Sequence, residues 1–177
     1  MSSLAALTYE HHKNAERNVF AKHMVSGKIN KDDYAVYLYN LYPQYNVLEK
    51  YAKEHGILDL EIAPKIFDDF IYFSVDYVPK TFETTKRYID YIENIKNDPH
   101  RLMAHVYVRH MGDLSGGQLI KKKIIGKKSM YEFSDNIDYL KTKIRSRCSD
   151  DMADEANICF AMVTEFFIEC ANEFNLG

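Results

Sequence analysis

Histidine is the commonest protein metal ligand and the side chain whose charge changes nearest neutral pH. One histidine here has a carboxylate one helical turn away, where it could support ligation. His12-Lys13-Asn14-Ala15-Glu16 places an imidazole and a carboxylate four residues apart, on one face of a helix. A carboxylate at that spacing can accept a hydrogen bond from one ring nitrogen, fixing tautomer and ring orientation while the other nitrogen meets a metal. The residue types alone leave His11, His23, His55, His100, His105 and His110 as rivals. His11 is the nearest, but it lies about 100° away around a helix. Any helical histidine taken singly also fits a solvated polar residue.

The second unusual stretch is Tyr107-Val108-Arg109-His110-Met111-Gly112-Asp113-Leu114-Ser115-Gly116-Gly117-Gln118. Its glycines lie between two helix-competent segments, and each costs about 1 kcal/mol relative to alanine in a helix interior. An ordinary interhelical loop would explain glycine count. It does not explain why apolar residues run through the break, from Leu102, Val106 and Met111 through Leu114 to Ile120 and Ile124. Gly112 and Gly116 are four apart, so on a helix they strip one face of side chains. Bare backbone lets a flat ligand approach closely, and the weakened ladder permits a kink. Asp113 stands beside that face, where a carboxylate could anchor water over a ligand.

These groups must be positioned by helices. Pro and Gly are sparse, and apolar residues recur at steps of three and four rather than two. The pattern predicts a first helix from Ser3 to about Met24, ended by Gly27. A second opens at the N-cap Asn30 and ends near Gly56, with Tyr34, Leu38, Leu41, Tyr42, Tyr45 and Leu48 as its apolar stripe. Pro43 should kink it. A shorter piece spans Ile66 to Phe73, and Thr81 can cap the next helix. Asp98-Pro99 is a strong start signal for a segment reaching about Ile125, interrupted by the glycines. Ser134 or Asp135 should open a helix to Arg147. The last helix, Ser149 to Glu173, should present Ile158, Met162, Phe166 and Cys170 on one face. The expected architecture is all-α, one domain over residues 1–177.

Composition agrees with a globular chain: 46% hydrophobic and 28% charged. A net charge of −3 argues against a generic nucleic-acid role. Cys148, Cys159 and Cys170 are too few and too far apart for a disulfide framework, so they read as small buried hydrophobes or inert thiols in a reducing setting. The start lacks a basic region followed by an apolar core, and no apolar run reaches the ~18 residues needed to span a bilayer. The expectation is a soluble, cytoplasmic monomer.

The segment Tyr107 to Gln118, with its Gly-Asp-Leu-Ser-Gly-Gly-Gln core, resembles the distal-helix signature of haem oxygenases of the soluble, biliverdin-producing type. The similarity extends at lower density from about Leu4 to Phe174. It implies a multi-helix fold that holds haem between a proximal and a kinked distal helix. Haem is then substrate and cofactor, opened with O2 and electrons from an external donor to biliverdin, CO and ferrous iron. The resemblance makes His12 the proximal iron ligand, supported by Glu16. It makes Gly112, Gly116 and Asp113 the catalytic segment, with Asp113 organising water that delivers a proton. Lys141-Thr142-Lys143-Ile144-Arg145-Ser146-Arg147 matches the family's propionate-binding pattern, so Lys141 and Arg145, with Tyr107 as a phenol, become propionate partners. Phe160 and Phe167 correspond to apolar pocket positions.

The chain also departs from the family. A lysine common seven residues before the ligand is Ala5 here, and the chain is shorter than typical members. Lys121, Lys122, Lys123, Lys127 and Lys128 could dock an acidic donor such as a ferredoxin, and equally could be solubilising charges. An NADPH-dependent reductase is the other donor class, and a downstream bilin reductase could receive the product. Two rivals stand beside the enzyme: a haem carrier or sensor without turnover, and a helical protein with two non-haem irons. The second would need paired Glu-x-x-His motifs, which are missing from the sequence.

Overall fold

The computed structural model describes residues Ser3–Gly177. They form helices α1 (Ser3–Leu7), α2 (Tyr9–Arg17), α3 (Val19–Ser26), α4 (Lys31–Glu54), α5 (Ala63–Phe73), α6 (Glu83–Asn94), α7 (Pro99–Leu114), α8 (Gly117–Lys121), α9 (Ile137–Ser146) and α10 (Ala153–Glu173). Short 3-10 turns lie at Ser129–Tyr131 and Asp150–Met152, and no strand occurs among the described residues.

The single opening helix expected from Ser3 to Met24 is three helices instead. The Thr8 hydroxyl donates back to the Leu4 carbonyl at 2.9 Å. Asn18 is extended (φ −71°, ψ 163°); its Oδ1 accepts from the Ala21 N–H at 2.8 Å and its Nδ2 donates to the Ala15 carbonyl at 2.7 Å. One side chain thus closes α2 and opens α3, the competition with the helical ladder that Asn is suited to. The short α2 that carries His12 is therefore aimed independently of α3.

Other boundaries follow local chemistry. Gly27 ends α3 in the left-handed conformation (φ 75°), where a side chain would be strained. Asn30 caps α4 by accepting from the Asp33 N–H at 2.8 Å, and Asp98 caps α7 from the Arg101 N–H at 3.1 Å. The proline at position 43 does not break α4.

Where tertiary partners supply the cap, the local signal fails. Thr81 is not the cap of α6, which begins after Phe82. Asn40 of α4 accepts from the Phe82 N–H at 2.7 Å, and Glu169 of α10 accepts from the Thr84 N–H at 3.0 Å. Helix α9 opens at Asn136 rather than Ser134 or Asp135, and α10 begins only after the turn at Asp150–Met152. Ile158 is 40% exposed, so the buried face of α10 is set by Cys159, Phe160, Val163, Phe166 and Cys170.

Helix α10 packs on α2, α3, α6 and α7, while α4 packs on α5, α6 and α7. One apolar cluster gathers Leu48, Tyr88, Ile92, Leu102 and Cys159; the other gathers Phe20, Leu38, Ile66, Phe82 and Phe166. Each such side chain contributes about 1.5–3 kcal/mol on burial. Helix α7 touches α4, α9 and α10, which is why polar side chains from those elements converge on it.

Candidate functional site

His12 lies on α2 with its side chain 49% exposed, and its Nε2 is 2.8 Å from Oε1 of Glu16. The imidazole stacks on Phe160 of α10, ring centroids 5.2 Å apart and planes 16° from parallel. One ring nitrogen is therefore engaged, the ring plane is set from behind, and the other nitrogen makes no hydrogen bond among the described residues. Its rivals are otherwise occupied where the structure engages them. His55 binds the Lys96 carbonyl, His100 pairs with Asp151, and the fully buried His105 and His110 face Glu155 and Glu49.

The glycine stretch divides by what surrounds each residue. Helix α7 stops at Leu114, Ser115 leaves helical geometry (φ −116°, ψ −92°), and α8 starts at Gly117. A Cβ built on Gly117 would stand 2.8 Å from the Tyr131 ring, so packing alone excludes a side chain there. A Cβ on Gly112 would meet nothing within 4 Å, and one on Gly116 only the Gly112 carbonyl oxygen at 4.0 Å. Both are exposed and neither has a positive φ. The protein's own contacts thus account for Gly117 but not for Gly112 or Gly116.

Asp113 points inward. It is 8% exposed, and Tyr45 of α4 donates to its Oδ2 at 2.7 Å. Burial pushes its carboxyl up to about 7, against the Tyr45 hydrogen bond and the nearby His110 and Arg109, with Glu49 adding to the rise. It is thus poised to hold or release a proton near neutral pH. The sequence pattern places Tyr45 in an apolar stripe. Its ring does pack in the core, but its hydroxyl serves Asp113, a partnership 68 residues apart with no local signature. Gln118 closes the turn by donating to the Asp113 carbonyl and the Tyr131 carbonyl, each at 3.1 Å.

Helix α9 carries the basic residues, and the structure sorts them. Arg147 grips Asp59 with two hydrogen bonds, at 2.6 and 3.0 Å, and Lys143 lies 3.8 Å from the same carboxylate. Lys141 and Arg145, one turn apart on α9, make no ion pair among the described residues. Tyr107 of α7 is half-buried; burial raises its phenol, Cys148 adds to the rise, and Arg145 opposes it, which places Arg145 close by. Phe167 packs on Phe20 and Phe166, 5.3 and 6.0 Å between centroids, and against the apolar cluster that holds Phe160. Cys148, Cys159 and Cys170 are free thiols. No group of three or more His, Cys, Asp or Glu side chains suited to a metal ion occurs among the described residues, and no helix there is long and apolar enough to cross a membrane.

The arrangement therefore combines an imidazole backed by a carboxylate, an exposed patch of bare backbone, a buried carboxyl near neutrality, and two cations left without anions. Comparison with known proteins agrees. The family described as "Heme oxygenase" matches residues 1–169. The chain is 30% identical over 200 residues to the heme oxygenase of Rhodella violacea, covering 94% of this chain and 85% of that protein. The fold is similar to heme oxygenase-1 of Synechocystis in complex with heme (TM-score 0.85, 26% identity, 96% of this chain and 91% of that one). It is also similar to the heme oxygenase of Leptospira interrogans (TM-score 0.83, 27% identity, 96% and 100%). By sequence and by fold, this chain belongs to the haem oxygenase family.

Proposed function

We propose that this haem oxygenase holds haem between the imidazole of His12 and the backbone around Gly112 and Gly116, and opens the ring to biliverdin, CO and ferrous iron. The observation that carries this reading is the contrast among the glycines. A side chain on two of them would crowd none of the described residues, while the third is explained by packing. A flat, largely apolar ligand bearing two carboxylates fits what remains. Bare backbone accepts its face, and Lys141 and Arg145 supply the two charges it needs at its edge. Tyr107, half-buried on α7, adds a phenolic donor.

Bound haem supplies the iron at which dioxygen is reduced, with electrons from an external donor such as a ferredoxin or an NADPH-dependent reductase. The chain's own residues do the rest. Glu16 holds the His12 ring by one nitrogen, fixing its orientation and leaving the other nitrogen open. Phe160 fixes the ring plane. Phe167 shapes the apolar interior behind it. Gly112 and Gly116 leave no side chain that could compete for the open space. Asp113, kept near neutrality by burial and oriented by Tyr45, holds water and passes a proton toward the ligand's face. We place the protein in the cytoplasm as a monomer, its product available to a bilin reductase.

Titration with hemin, followed by reductant under oxygen, tests the reading. Stoichiometric Soret absorbance that decays to a biliverdin spectrum is expected. A stable reduced or oxygenated spectrum would leave a carrier, and no absorbance change would remove the haem site. Asp113→Ala should still bind hemin and lose most biliverdin yield; a normal yield would take Asp113 out of the mechanism.

A further inference from the structure

Arg109 is a buried cation that lacks a carboxylate partner. It is 5% exposed, makes no ion pair among the described residues, and its Nε has no hydrogen bond. Burying a charge this way is costly unless something fixes and solvates it. Two rings flank the guanidinium, Tyr88 at 4.3 Å and Tyr45 at 5.5 Å from Cζ to ring centroid. Oε1 of Gln44 accepts from it, 2.6 Å from Nη2, and the Tyr88 hydroxyl also interacts with the guanidinium.

That amide cannot be turned round. Its Nε2 donates to the Asn40 carbonyl at 3.0 Å and to the Thr85 hydroxyl at 3.1 Å. Flipping would aim two donors at the guanidinium and an acceptor at the Asn40 carbonyl. The next rung is equally determined. Asn40 Oδ1 accepts from the Phe82 N–H at 2.7 Å and from the Thr85 hydroxyl at 3.1 Å, while its Nδ2 donates to the Lys80 and Val36 carbonyls. Asn40, Gln44 and Thr85 are fully buried. A ladder polarised by the backbone at the start of α6 thus ends in an acceptor aimed at Arg109.

Arg109 lies one turn before Asp113 on α7, and the Tyr45 ring that packs on its guanidinium carries the hydroxyl that donates to Asp113. We propose that Gln44 is a positioning residue of the reaction, holding the Arg109 guanidinium beside Asp113 and so setting how readily that carboxyl keeps its proton. The proposal rests on the role given to Asp113 above. The charged and titratable groups around Asp113 are Arg109 and His110 on its own helix, with Tyr34, Tyr37, Tyr45 and Glu49 from α4 and Tyr131 from the 3-10 turn. Among them Arg109 is the permanent cation, so its displacement favours the protonated acid.

The test is a pH titration of the Asp113 side-chain carboxyl by 13C NMR in the ligand-free full chain, with Asp113→Asn to assign the resonance. Gln44→Leu and Gln44→Met each remove the acceptor without adding a charge. In both, the midpoint should move up by about one pH unit, with hemin affinity within threefold of the parent and the pH profile of biliverdin formation displaced in the same direction. Should the leucine variant fail to fold, the methionine variant carries the test alone. An unmoved midpoint in the folded variant overturns the positioning role. If Asp113→Asn turns haem over normally, the catalytic role of Asp113 falls instead, whatever the Gln44 variants do.

Discussion

The glycine contrast yields a test in which stability and binding move in opposite directions. In Gly112→Ala the new methyl meets none of the described residues within 4 Å, and the position is helical. Alanine should stabilise the ligand-free chain by about 0.5–1 kcal/mol through helix propensity and a less flexible unfolded state. For a domain of this size that raises the unfolding midpoint by roughly 1–4 °C. In Gly117→Ala the methyl would stand 2.8 Å from the Tyr131 ring, and that ring, 2% exposed, has no room to retreat. Overpacking of about 1–3 kcal/mol outweighs the propensity gain, so the midpoint should fall by several degrees. Hemin binding separates the two again. Gly117→Ala should bind with nearly parental affinity if folded, whereas Gly112→Leu, which projects a side chain into the cleared space, should bind at least tenfold more weakly, a loss of about 1.4 kcal/mol. Thermal unfolding of the ligand-free variants and Soret titration measure both. A lowered midpoint for Gly112→Ala, or parental hemin affinity for Gly112→Leu, would refute the reasoning.

His12→Ala should fold normally, because the ring is half exposed, yet lose the native haem spectrum; added imidazole should restore it, and a native spectrum without imidazole would assign the ligand elsewhere. Lys141→Ala and Arg145→Ala should each weaken hemin binding by about 1 kcal/mol, an effect that shrinks with salt. Lys143→Ala, whose charge faces Asp59, should not, and equal losses at all these positions would point to a diffuse field. Ferredoxin-supported turnover should slow steeply with ionic strength if Lys121, Lys122, Lys123, Lys127 and Lys128 dock the donor, and salt-insensitive turnover would dismiss them. Glu155 supplies the pH dependence of stability. Burial pushes its carboxyl up, but hydrogen bonds from His105, Tyr91 and Arg101 outweigh this and hold it down at about 2, against an ordinary value of 4.5. A depressed acid stabilises the fold above its unfolded value, so this contribution, about 3 kcal/mol at most, is complete above pH 4.5 and lost as pH falls towards 2. The stability gap between the parent and Glu155→Gln should therefore close over that interval; a constant gap would exclude the linkage.

Local chemistry in the sequence determined much of this protein. The caps at Asn30 and Asp98, the left-handed Gly27, the period of the α4 stripe and the oddity of Gly112 to Gly117 all depend on residues within a few positions of one another, where backbone and side-chain geometry is nearly fixed by covalent reach. Asn18 shows where that legibility thins, since its competing side-chain hydrogen bonds split a continuous apolar pattern into α2 and α3. What only the folded chain decided are the partnerships between distant elements. Glu169 caps α6, Asp59 claims Lys143 and Arg147 while Lys141 and Arg145 make no ion pair among the described residues, and Tyr45 reaches Asp113. Nor could spacing tell that Gly117 makes room for Tyr131 while a side chain on Gly112 or Gly116 would crowd none of the described residues. The physical reason is common to all of them: burial makes a polar group's free energy depend on which atoms lie within about 3 Å, and in a bundle of helices those atoms come from parts of the chain that no local pattern joins.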